Sequence, residues 1–116
     1  MSETDDVVAI WRLQAAYADA VTRRAWPELH ALFLPAATVT LDLVTSPERT
    51  INGPGELGEF IGASIERFDH FTFVILNTVV DVTGPDSATG RIFMCEIRHD
   101  AAADAAAPGR RAHEEE

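Results

Sequence analysis

The chain contains no lysine. All nine basic residues are arginine, against 19 aspartates and glutamates, a formal balance of −10. A nucleic-acid backbone would be repelled over most of such a surface. The same balance excludes a polybasic anchor for an anionic membrane. Cysteine is nearly absent: Cys95 stands alone, which rules out an internal disulfide and a multi-cysteine zinc site. Long apolar runs are missing, and no stretch approaches the roughly 18 unbroken apolar residues of a membrane span. The opening residues, MSETDDVV, are acidic where a secretory leader needs a basic start. These absences point to a cytoplasmic protein with neither nucleic acid nor membrane as partner. No G-x-G-x-x-G, P-loop, G-x-S-x-G or C-x-x-C occurs, so nucleotide cofactors and serine or thiol hydrolysis have no support. His30, His70, His99 and His113 show no ligand spacing. Neither a cofactor nor a metal is therefore expected, and His113 with Glu114, Glu115 and Glu116 reads as a solvated acidic tail.

What is present fits one compact domain of 116 residues, a size at which roughly two-thirds of the unfolded surface can be buried. Val7, Ile10, Trp11, Ala15, Ala18 and Val21 recur at three- and four-residue steps and predict a helix over about 5–24. Ser2 or Thr4 can cap it, with acidic residues at its start and Arg23 and Arg24 at its end. Pro27 opens a second, short helix carrying Leu29, Leu32 and Phe33, and Pro35 stops it. Residues 38–44 alternate as a strand does, and Thr50 to Asn52 form a brief extended piece. Gly53-Pro54-Gly55 opens a third helix with Leu57, Phe60, Ile61, Ser64, Ile65 and Phe68 on one face. Residues 70–82 and 88–99 are rich in β-branched and aromatic types, and the turn chemistry of TGPDSA joins them into an antiparallel hairpin. The remainder, 101–116, is low in complexity and reads as a loop or tail after a domain spanning 1–100. Helices layered on a curved antiparallel sheet make an α+β architecture.

Several segments carry a family resemblance. YADAVTRRAWPELHALFLPAATVTLDL, beginning at Tyr17, is similar to the opening signature of the SnoaL-like branch of the nuclear transport factor 2-like superfamily. NGPGELGEFI resembles that family's third-helix start, and FVILNTVVDV with ATGRIFMCEIRHD resembles its central hairpin. The resemblance implies a cone in which three N-terminal helices pack on a strongly bent antiparallel sheet around an apolar cavity. It further implies a small apolar ligand, many homodimers paired through the sheet, and members that are isomerases, cyclases, dehydratases or plain binding proteins. Relatives usually continue with two further strands, so a chain stopping at Glu116 is expected to lack them and to expose a sheet edge.

The resemblance also nominates residues. Tyr17 matches the phenol of the oxyanion hole in isomerase-like members, and Asp19 matches a cavity-lining aspartate of dehydratase-like members. Such a phenol donates to a developing enolate, and a partly desolvated carboxylate moves protons. Against this stands a simpler reading, a core Tyr17 and an Asp19 bonded to Arg23 one helical turn away. Asp42 falls one residue off the isomerase base and reads as an exposed strand aspartate. Dehydratase-like histidines are replaced here by Phe73 and Ile92, which argues against that chemistry; His70 and His99 lie at strand ends. Strand alternation sets Phe71, Phe73, Ile75, Asn77 and Val79 on one face, making Asn77 a ligand-orienting amide. Arg91 and Glu96 are left open between solvent and an interface. Cys95 is expected to be a small buried hydrophobe. Trp11, Phe60, Phe73 and Phe93 complete the expected ligand wall. Two readings thus stand open: a cofactor-free acid–base enzyme on a polyketide-, steroid- or terpenoid-like molecule, or a non-catalytic ligand-binding or scaffold protein, including a truncated inactive relative.

Overall fold

The computed structural model describes residues 2–102; the expected tail over 103–116, His113 included, lies outside the described residues. The first helix, α1 (Glu3–Arg23), begins with a reciprocal cap. The Ser2 hydroxyl oxygen accepts the Asp5 N–H at 3.2 Å, and the Asp5 carboxylate accepts the Ser2 N–H at 3.2 Å. Glu3, Asp5 and Asp6 suit its positive end. At the other end Arg24 turns left-handed, with φ +58°. Its N–H returns to the Val21 carbonyl at 3.1 Å and the Ala25 N–H to the Ala20 carbonyl at 2.8 Å, a Schellman closure. Glycine usually occupies such a position. Arg24 instead sends its guanidinium across to donate to the Phe68 and Ile65 carbonyls, at 2.7 and 3.1 Å.

The second helix is shorter and tighter than expected, a 3-10 helix over Trp26–Ala31 with Pro27 in its first turn. Strand β1 (Thr38–Leu41) pairs antiparallel with β2 (Arg49–Asn52), Val39 lying opposite Ile51. The expected strand over 38–44 thus ends early, and Asp42 is exposed beyond it. Gly53 then starts α2 (Gly53–Ile65) at φ +80°, donating to the Ala37 carbonyl at 2.7 Å. A Cβ there would meet the Pro35 carbonyl oxygen at 2.9 Å, so only glycine fits. One turn apart on α2, Gly58 and Gly62 leave the space the Trp26 side chain fills. The third helix ends three residues before Phe68, which is nonetheless buried.

Strands β3 (His70–Gly84) and β4 (Ser87–His99) form the long antiparallel hairpin. At roughly 3.3 Å per residue β3 alone spans about 50 Å, and the molecule's longest dimension is 56 Å. The register shifts by one residue between Ile75 and Asn77, and again between Val82 and Gly84. Each shift puts one extra residue on β3, a bulge that reverses which face later side chains take. Among the described residues, β1–β2 and β3–β4 are two separate two-stranded sheets, where one continuous bent sheet was expected.

The interior has two parts. Ala20, Leu29, Ile51 and Leu57 form one; Val21, Ile65, Phe68 and Phe71 form the other. Tyr17, Trp26 and Ile61 pack against both. Burying one such Leu, Ile or Phe side chain contributes about 1.5–3 kcal/mol. Among the described residues no helix is long and apolar enough to cross a membrane.

Candidate functional site

A hollow of about 290 Å³ opens between α1, β1, α2 and the base of the hairpin. Its wall is mostly apolar. β1 supplies Val39 and Leu41, α2 supplies Leu57, Phe60, Ile61 and Ile65, and β3 supplies Phe71 and Phe73. The polar groups around it are Tyr17 from α1, Ser64 from α2, Arg67 just beyond α2, and Glu96 and Arg98 from β4. The Ser64 hydroxyl already donates to the Phe60 carbonyl at 2.8 Å.

Tyr17 is held by aromatic edges. Its ring meets Phe73 at 5.5 Å between centroids and Phe33 at 5.9 Å, both near perpendicular, the favoured geometry for such pairs. Burial, and then the negative charge of Glu96, push its phenol above the ordinary value. Glu96 pairs with Arg98 at 3.5 Å. The Arg98 guanidinium lies 5.0 Å from the Phe68 ring centre and that of Arg67 lies 4.6 Å from it. Arg67 also meets Asp100 at 3.3 Å. The hollow therefore combines a greasy wall, one phenol, one carboxylate and two guanidinium groups.

Of the residues nominated from sequence, the structure brings Tyr17, Phe60 and Phe73 together around this hollow. It sets the others elsewhere. Asp19 is exposed on α1, where its carboxylate accepts from Arg23 at 2.8 and 3.0 Å. Arg23 also bonds Glu28, at 2.6 Å. The hydrogen bonds from Arg23 hold the Asp19 carboxyl below the usual carboxylate range, the opposite of a desolvated proton carrier. Trp11 is 48% exposed, because it sits at the margin of the stripe that faces the hairpin. Asn77 is exposed and its side-chain oxygen accepts the Thr78 N–H at 2.9 Å. The extra residue Leu76 turns it away from Phe73's face. Phe93, opposite Asn77, shares that outer face and is 52% exposed. Cys95, opposite Val74, is exposed there too rather than buried.

Sequence reasoning passed over Glu96 and Arg98 as cavity residues. The usable signal was hairpin pairing. Residues directly opposed in an antiparallel pair share a face, and Glu96 opposes Phe73 while Arg98 opposes Phe71. Of the other polar residues, His70 lies within 3.0 Å of the Thr72 hydroxyl, and His99 within 2.8 Å of the Asp69 carboxylate. Among the described residues no three His, Cys, Asp or Glu side chains gather closely enough to hold a metal ion.

The fold has known counterparts. A candidate aromatic ring hydroxylase from Novosphingobium aromaticivorans superposes with a TM-score of 0.73 at 20% identity, over 88% of this chain and 71% of that one. A candidate dehydratase of the NTF2-like family from Streptomyces avermitilis superposes with a TM-score of 0.56 at 17% identity, over 87% and 90% of the two chains. At these identities the likeness is one of fold. No curated protein matches the sequence. The SnoaL-like domain model matches residues 2–114, nearly the whole chain, and the protein belongs to that family, within the NTF2-like fold.

Proposed function

We propose that the hollow between α1, α2 and the hairpin binds a small hydrophobic molecule, of polyketide-, steroid- or terpenoid-like character, and performs cofactor-free acid–base chemistry on it. One observation carries this reading: about 290 Å³ of space walled by aliphatic and aromatic side chains, with the raised-pKa Tyr17 phenol at its edge. Ligand sites of this kind are apolar, with a few placed polar groups that fix orientation. A phenol in such surroundings donates a hydrogen bond to a carbonyl oxygen more usefully than in water.

The test is amide chemical-shift mapping with 2-tetralone, a neutral fused-ring ketone. Saturable shifts clustered on Leu57, Ile61, Phe73 and Glu96 are expected. A cavity-filling variant, Ile61→Phe, should abolish them while keeping a cooperative melt. Overpacking of this kind costs about 1–3 kcal/mol. Shifts scattered over the surface, or unaltered in Ile61→Phe, count against the pocket.

The non-catalytic alternative, a homodimer paired through the sheet, draws on a different observation. The outer face of the hairpin leaves Leu76 65%, Phe93 52% and Ile97 48% exposed, and apolar surface of that kind marks association.

A further inference from the structure

We propose that the hollow takes an apolar molecule bearing a carboxylate, its rings against Ile61 and Phe73 and its charged head received by Arg67 and Arg98. The inference rests on the pocket reading above and deepens it by naming the ligand class, a flat hydrophobic acid.

Two arginines from separate elements meet at one end of the hollow. Arg67 follows α2, and Arg98 lies on β4 opposite Phe71. Both guanidinium groups lie over the Phe68 ring, 4.6 and 5.0 Å from its centre. That ring is buried and stacks on Phe71, with centroids 6.4 Å apart and planes 17° from parallel. An aromatic face holds a guanidinium by cation–π attraction and leaves the donors along its edge for other partners.

Those donors are mostly unspent. Arg67 approaches Asp100 through Nε at 3.3 Å, and its two terminal amino groups make no hydrogen bond among the described residues. Arg98 donates from Nη1 to Glu96 at 3.5 Å, the long limit of such a bond. Ion pairs between exposed groups hold weakly, so both yield to a better-placed acceptor. The planar fork of arginine matches a carboxylate, whose two oxygens can accept side by side. Glu96 and Asp100 stand against the two guanidinium groups, so this end carries no surplus positive charge. It suits a singly charged planar head rather than a doubly charged phosphate. The adjoining wall of Ile61, Ile65, Phe71 and Phe73 is apolar, so head and body of such an acid each meet their own chemistry.

The experiment is an amide chemical-shift titration with 2-naphthoate and with 2-naphthamide, the same ring system without the charge. It is run near neutral pH, where the acid is ionised. Saturable shifts around the hollow are expected for both, with the acid bound at least about tenfold more tightly. Arg67→Gln and Arg98→Gln should each remove most of that preference. Their affinity for the amide should stay within about twofold of wild type, which reports that the pocket is still formed. Ile61→Phe should abolish binding of both compounds. Equal affinity for acid and amide in the wild type overturns the proposal and leaves the pocket standing. A preference that survives in both arginine variants does the same. An acid that still binds Ile61→Phe is held at the surface, which also overturns it. If neither compound binds the wild type, the pocket reading falls and this inference falls with it.

Discussion

Glu96 lies directly across from Phe73 in the β3–β4 pairing. That register relationship decides which side of β3 looks inward up to the bulge at Leu76. At the hairpin base, odd residues of β3 and even residues of β4 share the inner face: Phe71 with Arg98, Phe73 with Glu96, Ile75 with Met94. Past Leu76 the even residues of β3 take that role, and Thr78 hydrogen-bonds Gln14 of α1. The bulge therefore divides the hairpin by task. Its base walls the hollow, and its distal half backs α1.

The clip between Arg24 and the end of α2 should be among the larger single contributors to stability. Its guanidinium bonds two carbonyls, and hydrogen bonds from charged groups contribute about 1.5–3 kcal/mol. The residue also holds φ +58°, a conformation that glycine adopts at lower cost. Arg24→Ala loses the clip and keeps the backbone strain, so a loss of about 2 kcal/mol is expected. Arg24→Gly loses the clip and relieves the strain, so the loss should be about 1 kcal/mol smaller. Urea unfolding of the three proteins checks the order; equal midpoints for wild type and Arg24→Ala would falsify the assignment.

Most of this architecture was legible in the chain, and the reasons are local. Ser2 with Asp5, Pro27, Gly53 and the TGPDSA turn mark boundaries through capping and turn chemistry, which needs only near neighbours. The candidate site was less legible because facing depends on register. Continuing the Gly84–Ser87 pairing without interruption would place Asn77 opposite Met94, on the inner face. The extra residue Leu76 instead pairs it with Phe93 on the outer one. No residue type announces that bulge. Asp19 carried its own warning, since an arginine four residues on is a standing partner for a helical carboxylate. Trp26 entered the sequence reading only within the segment that carries the family resemblance, yet it packs against both parts of the core, in the space that Gly58 and Gly62 leave open.

Tyr17 should govern the alkaline limb of stability. Its phenol titrates above the ordinary value near 10 in the folded chain, from burial first and Glu96 second. Above that ordinary value the unfolded chain gives up the phenol proton while the folded chain keeps it. The unfolded state then binds fewer protons, so stability falls as pH rises from about 10 through the folded value. Below about pH 10 the contribution is fully present. The chain is unusually suited to this measurement: it has no lysine, one tyrosine and one cysteine, so few other groups titrate there. Stability of wild type and Tyr17→Phe, measured by urea between pH 8 and 11, should diverge in slope above about pH 10, with the variant flatter. Parallel curves would show that Tyr17 is not desolvated.

Phe93 should control self-association, if the hairpin's outer face pairs with a second copy. Leu76, Phe93 and Ile97 expose apolar surface there, next to half-buried Val74 and exposed Cys95. Pairing two such faces would bury the aromatic ring at one end of the patch, and aromatic side chains are enriched among the residues that carry association energy. A charge placed at that point would stay solvated in the monomer and be desolvated in the dimer, a cost of several kcal/mol. Sedimentation equilibrium on wild type at tens of micromolar should therefore show a dimer, and Phe93→Glu a monomer with unchanged circular dichroism. Because Phe93 is turned away from the hollow, the variant should bind 2-tetralone as the wild type does. A monomeric wild type, or a Phe93→Glu protein that still dimerises, would remove this face from consideration as the contact.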